Sequence, residues 1–377
     1  MRARAGHAGY EGGVSSAPIL VHGATGFTGR LVCAALSRRG IPFAAGGRDP
    51  AKLAALAERH RCETVRIDLG VADTVVAAIR GRAAVLACAG PFIEVGEPVL
   101  ATCAREGVSY ADTTGEQRFV ADMAARYRAT AEARGACIAP SFAYEIAPAD
   151  WAADVAAKAL GVVPERITIA YLLAAARGGY GTGTSRGTKR SALRMMREPS
   201  PLQYVDGALV VERVAEKRTR IFTEGGRAID AVSFPSPEAV LVPRHTKART
   251  VRTFMAVGAA SATAIHALRG AIPVTGRVLG SLLDDLVART PEGPGEAERE
   301  ASFEVVAIAE GQGGRRAVAR AIGRDPYGLT AEIQALFALR AIGGELGARG
   351  VVAPSEAVPA EDAFAALENA GLRCTAH

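Results

Sequence analysis

The sequence predicts an α/β protein in which a doubly wound parallel sheet is followed by a second, α+β domain. Three observations support this prediction. A glycine-rich turn joins an apolar run to a helix-like run, strand-like and helix-like runs alternate up to about residue 150, and beyond it strands follow strands. The chain has 377 residues, which is long enough for two domains with cores of their own.

Six strand-like runs occur in the first part of the chain, with helix-like runs between them. The predicted strands cover 18–22, 41–47, 64–68, 83–89, 109–112 and 136–140, and the predicted helices cover 30–36, 50–59, 71–79, 98–106 and 119–134. Six parallel strands with intervening helices are the full number for a doubly wound sheet. We therefore expect this domain over 18–150, after a flexible tail over 1–17 that is rich in Gly, Ala and Ser.

The second part of the chain has a different pattern. Strands are predicted over 166–175, 208–214, 219–222, 239–242 and 250–257, and a hairpin over 303–309 and 315–322. Helices are predicted over 147–160, 188–196 and 330–342. This pattern favours an α+β domain over 151–325 that provides the substrate site or an oligomer interface, and C-terminal helices over 326–377 that return to the first domain.

The glycine-rich turn is Gly23-Ala24-Thr25-Gly26-Phe27-Thr28-Gly29, and it lies between the first predicted strand and the first predicted helix. Glycines at this spacing permit a tight turn, a close approach of the backbone to a pyrophosphate, and close packing of helix on strand. The free N–H groups of the first helical turn then face the anion. This context predicts a Rossmann-type dinucleotide-binding domain; the alternative is a turn that binds nothing.

The end of the second strand decides which dinucleotide is expected. Arg48 follows that strand and Lys52 lies close by, so two cations could bind a 2′-phosphate, which favours NADP(H) over NAD. The alternative is a solvated Arg48 and an Asp49 that caps the next helix. Asp68 is expected near the adenine, and Ala89-Gly90-Pro91 beside the ribose and nicotinamide; turn or cap roles are their alternatives.

Candidate catalytic residues follow the later strands and the start of the second domain. Tyr144 could donate a proton to a reduced substrate, and Glu116 and Glu145 could position a polar group. Lys189 lies in the segment 181–191, whose small, hydroxyl and basic residues suit an anion or a carbonyl at a helix start. Capping for the first three residues, and a solvated loop for the segment, are the alternatives.

Composition narrows the function classes further. The net charge of +6 suits an anionic cofactor or an acyl carrier, but no basic block with interleaved aromatics indicates nucleic-acid binding. Cysteine spacing indicates neither zinc nor disulfides and favours a cytoplasmic protein. No signal peptide or transmembrane run is expected; the apolar stretch 254–274 predicts a buried or interfacial amphipathic helix, open to peripheral membrane contact. His245 is expected at the surface, because no acidic residue is nearby in sequence.

Several motifs together resemble one family. They are the turn 23–29, Gly47-Arg48, Ala89-Gly90-Pro91-Phe92, Gly96-Glu97-Pro98-Val99, Tyr110-Ala111-Asp112-Thr113-Thr114-Gly115-Glu116, Gly183-Thr184-Ser185 with Gly187-Thr188, Tyr327-Gly328-Leu329-Thr330-Ala331 and Gly350-Val351-Val352-Ala353-Pro354. In these motifs the chain resembles the saccharopine dehydrogenase-like oxidoreductases, which include bacterial trans-acting enoyl reductases. The chain departs from the family over 142–150, where Tyr144 and Glu145 replace an Asp-Ser pair.

The resemblance implies a Rossmann domain that binds NADP(H), a second domain that forms the substrate cleft, and hydride transfer to an imine or to a carrier-bound enoyl group. We therefore expect an NADP-dependent oxidoreductase of secondary or lipid metabolism, acting on a small-molecule or carrier-bound acyl substrate and compatible with a homodimer. Two alternatives from other classes stay open. One is a dinucleotide-binding sensor or scaffold without turnover, and the other is an isomerase or cyclase that uses the same fold.

Overall fold

A computed structural model describes residues 18–174, 186, 189, 200–270, 285–290, 293 and 301–377, with only the backbone described for residues 173 and 174. The tail predicted over 1–17 lies outside the described residues. So do most of the segment 181–191 and the helix predicted over 188–196 except residue 189.

Sixteen strands in the described part of the chain form two sheets. They are β1 Ile19–His22, β2 Phe43–Gly47, β3 Glu63–Arg66, β4 Ala84–Ala87, β5 Ser109–Asp112, β6 Cys137–Ala139, β7 Arg166–Ala174, β8 Leu202–Val205, β9 Ala208–Val211, β10 Arg218–Phe222, β11 Ala228–Ser233, β12 Thr250–Ala256, β13 Ser302–Glu310, β14 Arg316–Arg324, β15 Gly350–Val351 and β16 Arg373–Ala376. The first sheet has the order β15-β6-β5-β4-β1-β2-β3. All its pairs are parallel, so the predicted doubly wound fold is confirmed.

The helices of the described residues cover the faces of these sheets. They are α1 Phe27–Arg38, α2 Pro50–His60, α3 Ala72–Ile79, α4 Phe92–Val95, α5 Glu97–Glu106, α6 Gln117–Ala133, α7 Ile146–Leu160, α8 Glu238–Thr246, α9 Ala259–Leu268, α10 Pro326–Ile342, α11 Pro354–Ala357 and α12 Ala360–Leu367. Helix α10 packs against α1, β4 and β5, although it is distant from them in sequence. Glu332 of α10 pairs with Arg38 at 2.8 Å and with Arg39 at 2.6 Å at the end of α1.

The second sheet is mixed, as the α+β pattern predicts. Its main order is β10-β11-β12-β7-β13-β14-β16, with β8 and β9 added beside β12. The β12–β7 pair is parallel, and its other pairs are antiparallel. Side chains of β7 alternate between two cores: Ile167, Ile169 and Tyr171 belong to the large core, and Ala170 and Leu172 to a smaller one on the opposite face.

One continuous core connects the two sheets. It contains residues of β1 and α1 from the first sheet as well as residues of β13 and β14 from the second. At its centre Phe142 packs edge-on against Trp151 of α7 and Phe337 of α10, with ring centroids 5.7 and 5.2 Å apart. All three side chains are fully buried, so the end of β6 and the start of α7 are held in one position.

Two sequence-based predictions about elements are wrong in part. The apolar run 239–242 is predicted as a strand but lies in α8, where Leu241 and Val242 are buried and the helix packs on α7. A short apolar run does not distinguish a strand from a buried helix by itself. The helix predicted over 254–274 is the end of β12 followed by α9, with Gly258 between them at φ 80°. Within the described ranges, no helix is long and apolar enough to cross a membrane.

Candidate active site

The glycine-rich turn joins β1, β4 and α1 at the carboxyl edge of the first sheet. Gly23 has φ +78°, and a Cβ atom there would lie 2.8 Å from the backbone nitrogen of Ala89, just after β4. A Cβ atom on Gly29 would overlap the Gly23 carbonyl oxygen. Gly26 is extended and exposed at the N-cap of α1, with no side chain capping the helix. The first-turn N–H groups therefore face outward, and the turn fits the predicted pyrophosphate site.

Arg48 lies at the same edge, directly after β2, and its side chain is exposed. Asp49 caps α2, because its carboxylate accepts hydrogen bonds from the backbone N–H groups of Ala51 at 3.1 Å and Lys52 at 3.2 Å. The Lys52 ammonium lies 3.9 Å from the same carboxylate. The capping role of Asp49 thus leaves Arg48 available for a phosphate, while Lys52 shares its charge with Asp49.

His22 is a residue of this edge that the sequence reasoning missed. It ends β1 immediately before Gly23 and is only 6% exposed. Burial, together with the neighbouring Arg48 charge, lowers the pKa of His22 to about 4, so the imidazole is neutral at physiological pH. The only sequence signal for it is a single polar residue at the end of an otherwise apolar strand.

Two predicted carboxylates have the structural roles that were their alternatives. Glu116 accepts hydrogen bonds from the backbone N–H groups of Phe92 at 3.1 Å and Ile93 at 2.8 Å, so it caps α4. Asp68 accepts one from the N–H of Gly70 at 3.0 Å, which stabilises the turn after β3. The adenine contact of Asp68 stays a prediction. The predicted segment Ala89-Gly90-Pro91, which lies between Asp68 and Glu116 in the sequence, follows β4 and contains a cis Gly90–Pro91 peptide.

Tyr144 and Glu145 lie together between β6 and α7. The Tyr144 hydroxyl donates a hydrogen bond to Glu145 Oε1, and the Tyr144 backbone N–H donates one to Thr330 Oγ1 at 3.2 Å. Burial raises the pKa of Tyr144 well above its ordinary value, and the adjacent Glu145 raises it further. Burial also raises the pKa of Glu145, against a smaller lowering by the hydrogen bond from Tyr144. The pair therefore holds its protons more tightly than exposed groups would.

An aromatic path connects this pair with the glycine turn. The Tyr144 ring packs edge-on against Phe303 at 5.4 Å and lies 6.5 Å from the ring of Tyr327. Tyr327 in turn packs edge-on against Phe27, the first residue of α1, at 5.1 Å. Tyr327 and Thr330 lie in a motif quoted for the family resemblance, but their contact with Tyr144 needs the fold to bring α10 across the sheet edge.

Two other buried carboxyl groups lie near this pair. Asp112 ends β5 and accepts hydrogen bonds from the N–H groups of Thr114 at 2.9 Å and Ser141 at 2.8 Å, and from the Tyr110 hydroxyl at 2.8 Å. Burial outweighs these contacts and raises the pKa of Asp112 to about 6. Glu238 at the start of α8 is fully buried, and neither of its oxygens bonds another residue of the described chain. Its pKa is raised well above the ordinary value, mainly by burial.

His245 does not have the surface position that its local sequence suggested. Its Nε2 lies 2.9 Å from Asp150 Oδ2, and its Nδ1 lies 3.7 Å from Asp154. Burial acts to lower the pKa of His245, but the two carboxylates raise it to about 10. The expectation was wrong because the acidic partners come from α7, far away in sequence. Since Asp150 also accepts a hydrogen bond from the Ser355 N–H at 2.7 Å, the cluster fastens α7, α8 and α11 together.

The remaining predicted positions are only partly covered by the described residues. Lys189 is helical and partly buried, but most residues around it, including Thr184, lie outside the described ranges, so its catalytic role stays a prediction. All six cysteines are free thiols. Among the described residues, no group of three or more His, Cys, Asp or Glu side chains could hold a metal ion.

Comparison with known proteins gives relatives for the first part of the chain. The NAD(P)H-binding family matches residues 23–159, from the glycine turn to the end of α7. The trans-acting enoyl reductase of Mycobacterium leprae is 34% identical over 139 residues, which cover 35% of this chain and 33% of that protein. The saccharopine dehydrogenase-like oxidoreductase of Homo sapiens is 29% identical over 151 residues, or 35% of each chain. The chain thus matches about a third of the length of these relatives.

The fold similarity extends over the whole chain. Saccharopine dehydrogenase (L-Glu forming) from Saccharomyces cerevisiae superposes with a TM-score of 0.62 at 13% identity, covering 95% of this chain and 99% of that one. At this identity the superposition shows a common fold, including the second sheet. Together, the relatives and the fold confirm the resemblance predicted from the motifs.

Proposed function

Since the chain is related to NAD(P)-binding oxidoreductases of the saccharopine dehydrogenase-like kind, we propose that it is an NADP(H)-dependent reductase. Its substrate is an enoyl C=C bond or an imine, on a small molecule or a carrier-bound acyl group. One observation supports this proposal most: the aromatic path that links the glycine turn, through Phe27 and Tyr327, to the partly buried Tyr144–Glu145 pair. It joins an anion-binding turn and a proton source at one sheet edge.

The cofactor part of the proposal depends on backbone donors and one cation. The first-turn N–H groups of α1 suit a pyrophosphate, and the exposed Arg48 suits a 2′-phosphate. When bound, the nicotinamide supplies a hydride to the substrate. His22 is close enough to feel the charge of Arg48, but its lowered pKa keeps its imidazole neutral, so it adds no positive charge. The preference for NADPH over NADH therefore depends on the Arg48 guanidinium.

The proton part depends on Tyr144 and Glu145. Reduction of a C=C or C=N bond adds a hydride at one atom and needs a proton at the other. We assign that proton to the Tyr144 hydroxyl, whose raised pKa keeps it protonated at neutral pH. The Glu145 carboxyl accepts the Tyr144 hydrogen bond, and burial favours its protonated form; in that form it then returns a proton to the phenolate. Solvent reprotonates Glu145 before the next turnover.

Substitution of Arg48 tests the cofactor preference. In Arg48→Gln the affinity for NADPH is expected to fall about tenfold, because one charge-assisted phosphate contact is lost, while the affinity for NADH stays unchanged. Fluorescence titration of both cofactors measures this. The matched control is Arg134→Gln, which removes an exposed arginine at the C-terminal end of α6, away from the carboxyl edge of the sheet. An equal loss of affinity for both cofactors would contradict the assignment of Arg48.

Turnover with enoyl thioesters and cyclic imines tests the reaction and the proton donor. Tyr144→Phe and Glu145→Gln are each expected to lower kcat about a hundredfold at unchanged cofactor affinity. In the native protein kcat decreases as pH rises through the raised pKa of Glu145, and Glu145→Gln removes this dependence. Binding of NADPH with no oxidation by any substrate would favour a sensor. Product formed without net NADPH oxidation would favour an isomerase or cyclase.

A further inference from the structure

The second sheet is curved so strongly that β10 and β14 contact each other across the face opposite α7. Arg320 of β14 donates a hydrogen bond to the carbonyl oxygen of Phe222, the last residue of β10, at 2.8 Å. The same guanidinium pairs with Glu304 of β13 at 2.6 Å. Because β10 and β14 are at opposite sides of the sheet, these contacts require a strongly curved, barrel-like sheet. The smaller core around Ala170 and Leu172 fills its interior.

One end of this curled sheet is open and forms a cavity of about 340 Å³, which we call the mouth. Phe254, Ile221 and Ile308 form its apolar floor. Four cations lie on the same side of the sheet as this floor: Arg166, Lys217, Arg252 and Arg316. Arg218 and Arg220 alternate with Thr219 and Ile221 along β10, so their side chains are on the other face of that strand. Glu310 is the one acidic residue in the described lining. A concave opening at the end of a curved sheet is a common position for ligand pockets.

Half of the cations at the mouth have carboxylate partners. Arg166 pairs with Glu310 at 3.3 Å, and Arg252 pairs with Glu212 at 3.1 Å. The other two, which are Lys217 and Arg316, have no ion pair within the described part of the chain, and both are exposed. The mouth therefore has positive charge that the described residues do not neutralise.

The mouth is separate from the cofactor edge. Glu310 and Arg316 flank the β13–β14 turn, where Gly311 packs against Leu160 and Val162 at the end of α7. Helix α7 begins beside Tyr144 and Glu145 and has 15 residues, which places its ends about 22 Å apart. The helix also covers the opposite face of the second sheet. A ligand at the mouth would therefore not contact the nicotinamide end of the dinucleotide site.

We propose that the mouth of the second sheet binds a small phosphorylated anion, with its phosphoryl group held by Lys217 and Arg316. Guanidinium groups form paired, charge-assisted hydrogen bonds with phosphate oxygens. The cavity has the size of a small-molecule site. A concave opening lined by strands fits a small ligand better than the flat acidic surface of a protein. The phosphoryl group could belong to a soluble metabolite or to a lipid headgroup.

Calorimetric titration with sodium pyrophosphate at constant ionic strength tests the site. The native protein is compared with single variants Lys217→Gln and Arg316→Gln and with the double variant. Each single variant is expected to weaken binding about tenfold, and the double variant more than either single one. Arg134→Gln, and Arg218→Gln on the other face of β10, serve as controls for net charge. Gly29→Val serves as the control for pyrophosphate bound at the glycine turn, and none of these controls is expected to change binding at the mouth.

Vesicles distinguish the two sources of the phosphoryl group. Cosedimentation with phosphatidylcholine vesicles that contain phosphatidic acid, lost in the double variant, would indicate a headgroup. Pyrophosphate binding without cosedimentation would indicate a soluble ligand. The proposal is overturned if pyrophosphate does not bind, or if the mouth variants and Arg134→Gln bind it equally well. Binding of poly-L-glutamate without pyrophosphate would overturn it in favour of an acidic protein. Because no cofactor is present, failure here leaves the proposed reductase function unaffected.

Discussion

The carboxyl edge of the first sheet and the mouth of the second sheet are both concave, but they hold charge in opposite ways. At the edge, Asp112 and Glu238 are buried and Glu145 is partly buried, and burial raises the pKa of all three carboxyl groups. At the mouth, Lys217 and Arg316 are exposed. The difference shows how one chain separates two tasks. Carboxyl groups with raised pKa values suit proton transfer, whereas exposed cations attract an anion.

The two regions also differ in what would contact a ligand. Parallel strands end at one edge and are followed by helix N-termini, so the glycine turn offers backbone N–H groups that no substitution of a side chain removes. The mouth is formed by mostly antiparallel strands whose side chains alternate between two faces. Its ligand contacts are side chains, so its affinity is expected to follow the charge of single residues.

The largest effect is expected from Gly29→Val, which tests whether the edge depends on backbone shape. Any Cβ atom at Gly29 overlaps the Gly23 carbonyl oxygen, so the turn must open and lose its N–H geometry. We expect NADPH affinity to fall more than about a hundredfold, with pyrophosphate binding at the mouth unchanged. Gly225→Ala is the matched control, because its Cβ would meet only Thr223 Oγ1, at 3.9 Å. If Gly29→Val kept its NADPH affinity, the backbone N–H groups of the turn would not be what binds the cofactor at the edge.

A smaller effect is expected from Asp112→Asn, which tests whether the buried acids of the edge titrate. The pKa of Asp112 is raised from 3.8 to about 6, so the folded state favours the protonated form. Its contribution to stability is fully present below about pH 4 and is lost as pH rises to about 6, which amounts to about 3 kcal/mol. Chemical denaturation across this range should show that loss in the native protein and not in the variant. Parallel pH curves for the two proteins would contradict the raised pKa.

The smallest change in affinity is expected from added salt, whose effect on the two regions can be compared in the same protein. Added sodium chloride screens exposed charges more than buried groups or backbone donors. The affinity of the mouth for pyrophosphate should therefore fall severalfold more steeply with salt than the affinity of the edge for NADH, which lacks the 2′-phosphate. Titrations of both ligands over the same salt series provide the measurement. Equal slopes would indicate that the edge also binds mainly through exposed charge.

Local patterns predicted what depends on neighbours in sequence. The six predicted strands of the first sheet lie where the alternation of apolar and amphipathic runs places them, and Asp49 caps α2 as its position before Pro50 indicates. The seventh strand, β15, was not predicted, because it joins the sheet from the C-terminal part of the chain. The same reasoning failed for the run 239–242, since a short buried helix and a buried strand have the same apolar pattern. It also failed for His245, whose partners Asp150 and Asp154 are distant in sequence.

The sequence by itself determined the doubly wound first sheet, the glycine turn at its edge, and the family to which the motifs point, because every run and motif behind these predictions is a local pattern that can be read within its own short segment. Only the tertiary structure decided which polar groups meet. It gave Glu116 a capping role, joined Tyr144 to Glu145 beside α10, and curved the second sheet so that cations from three strands and one loop residue surround one cavity. The reason is physical: burial, pKa and charge density depend on contacts between distant segments.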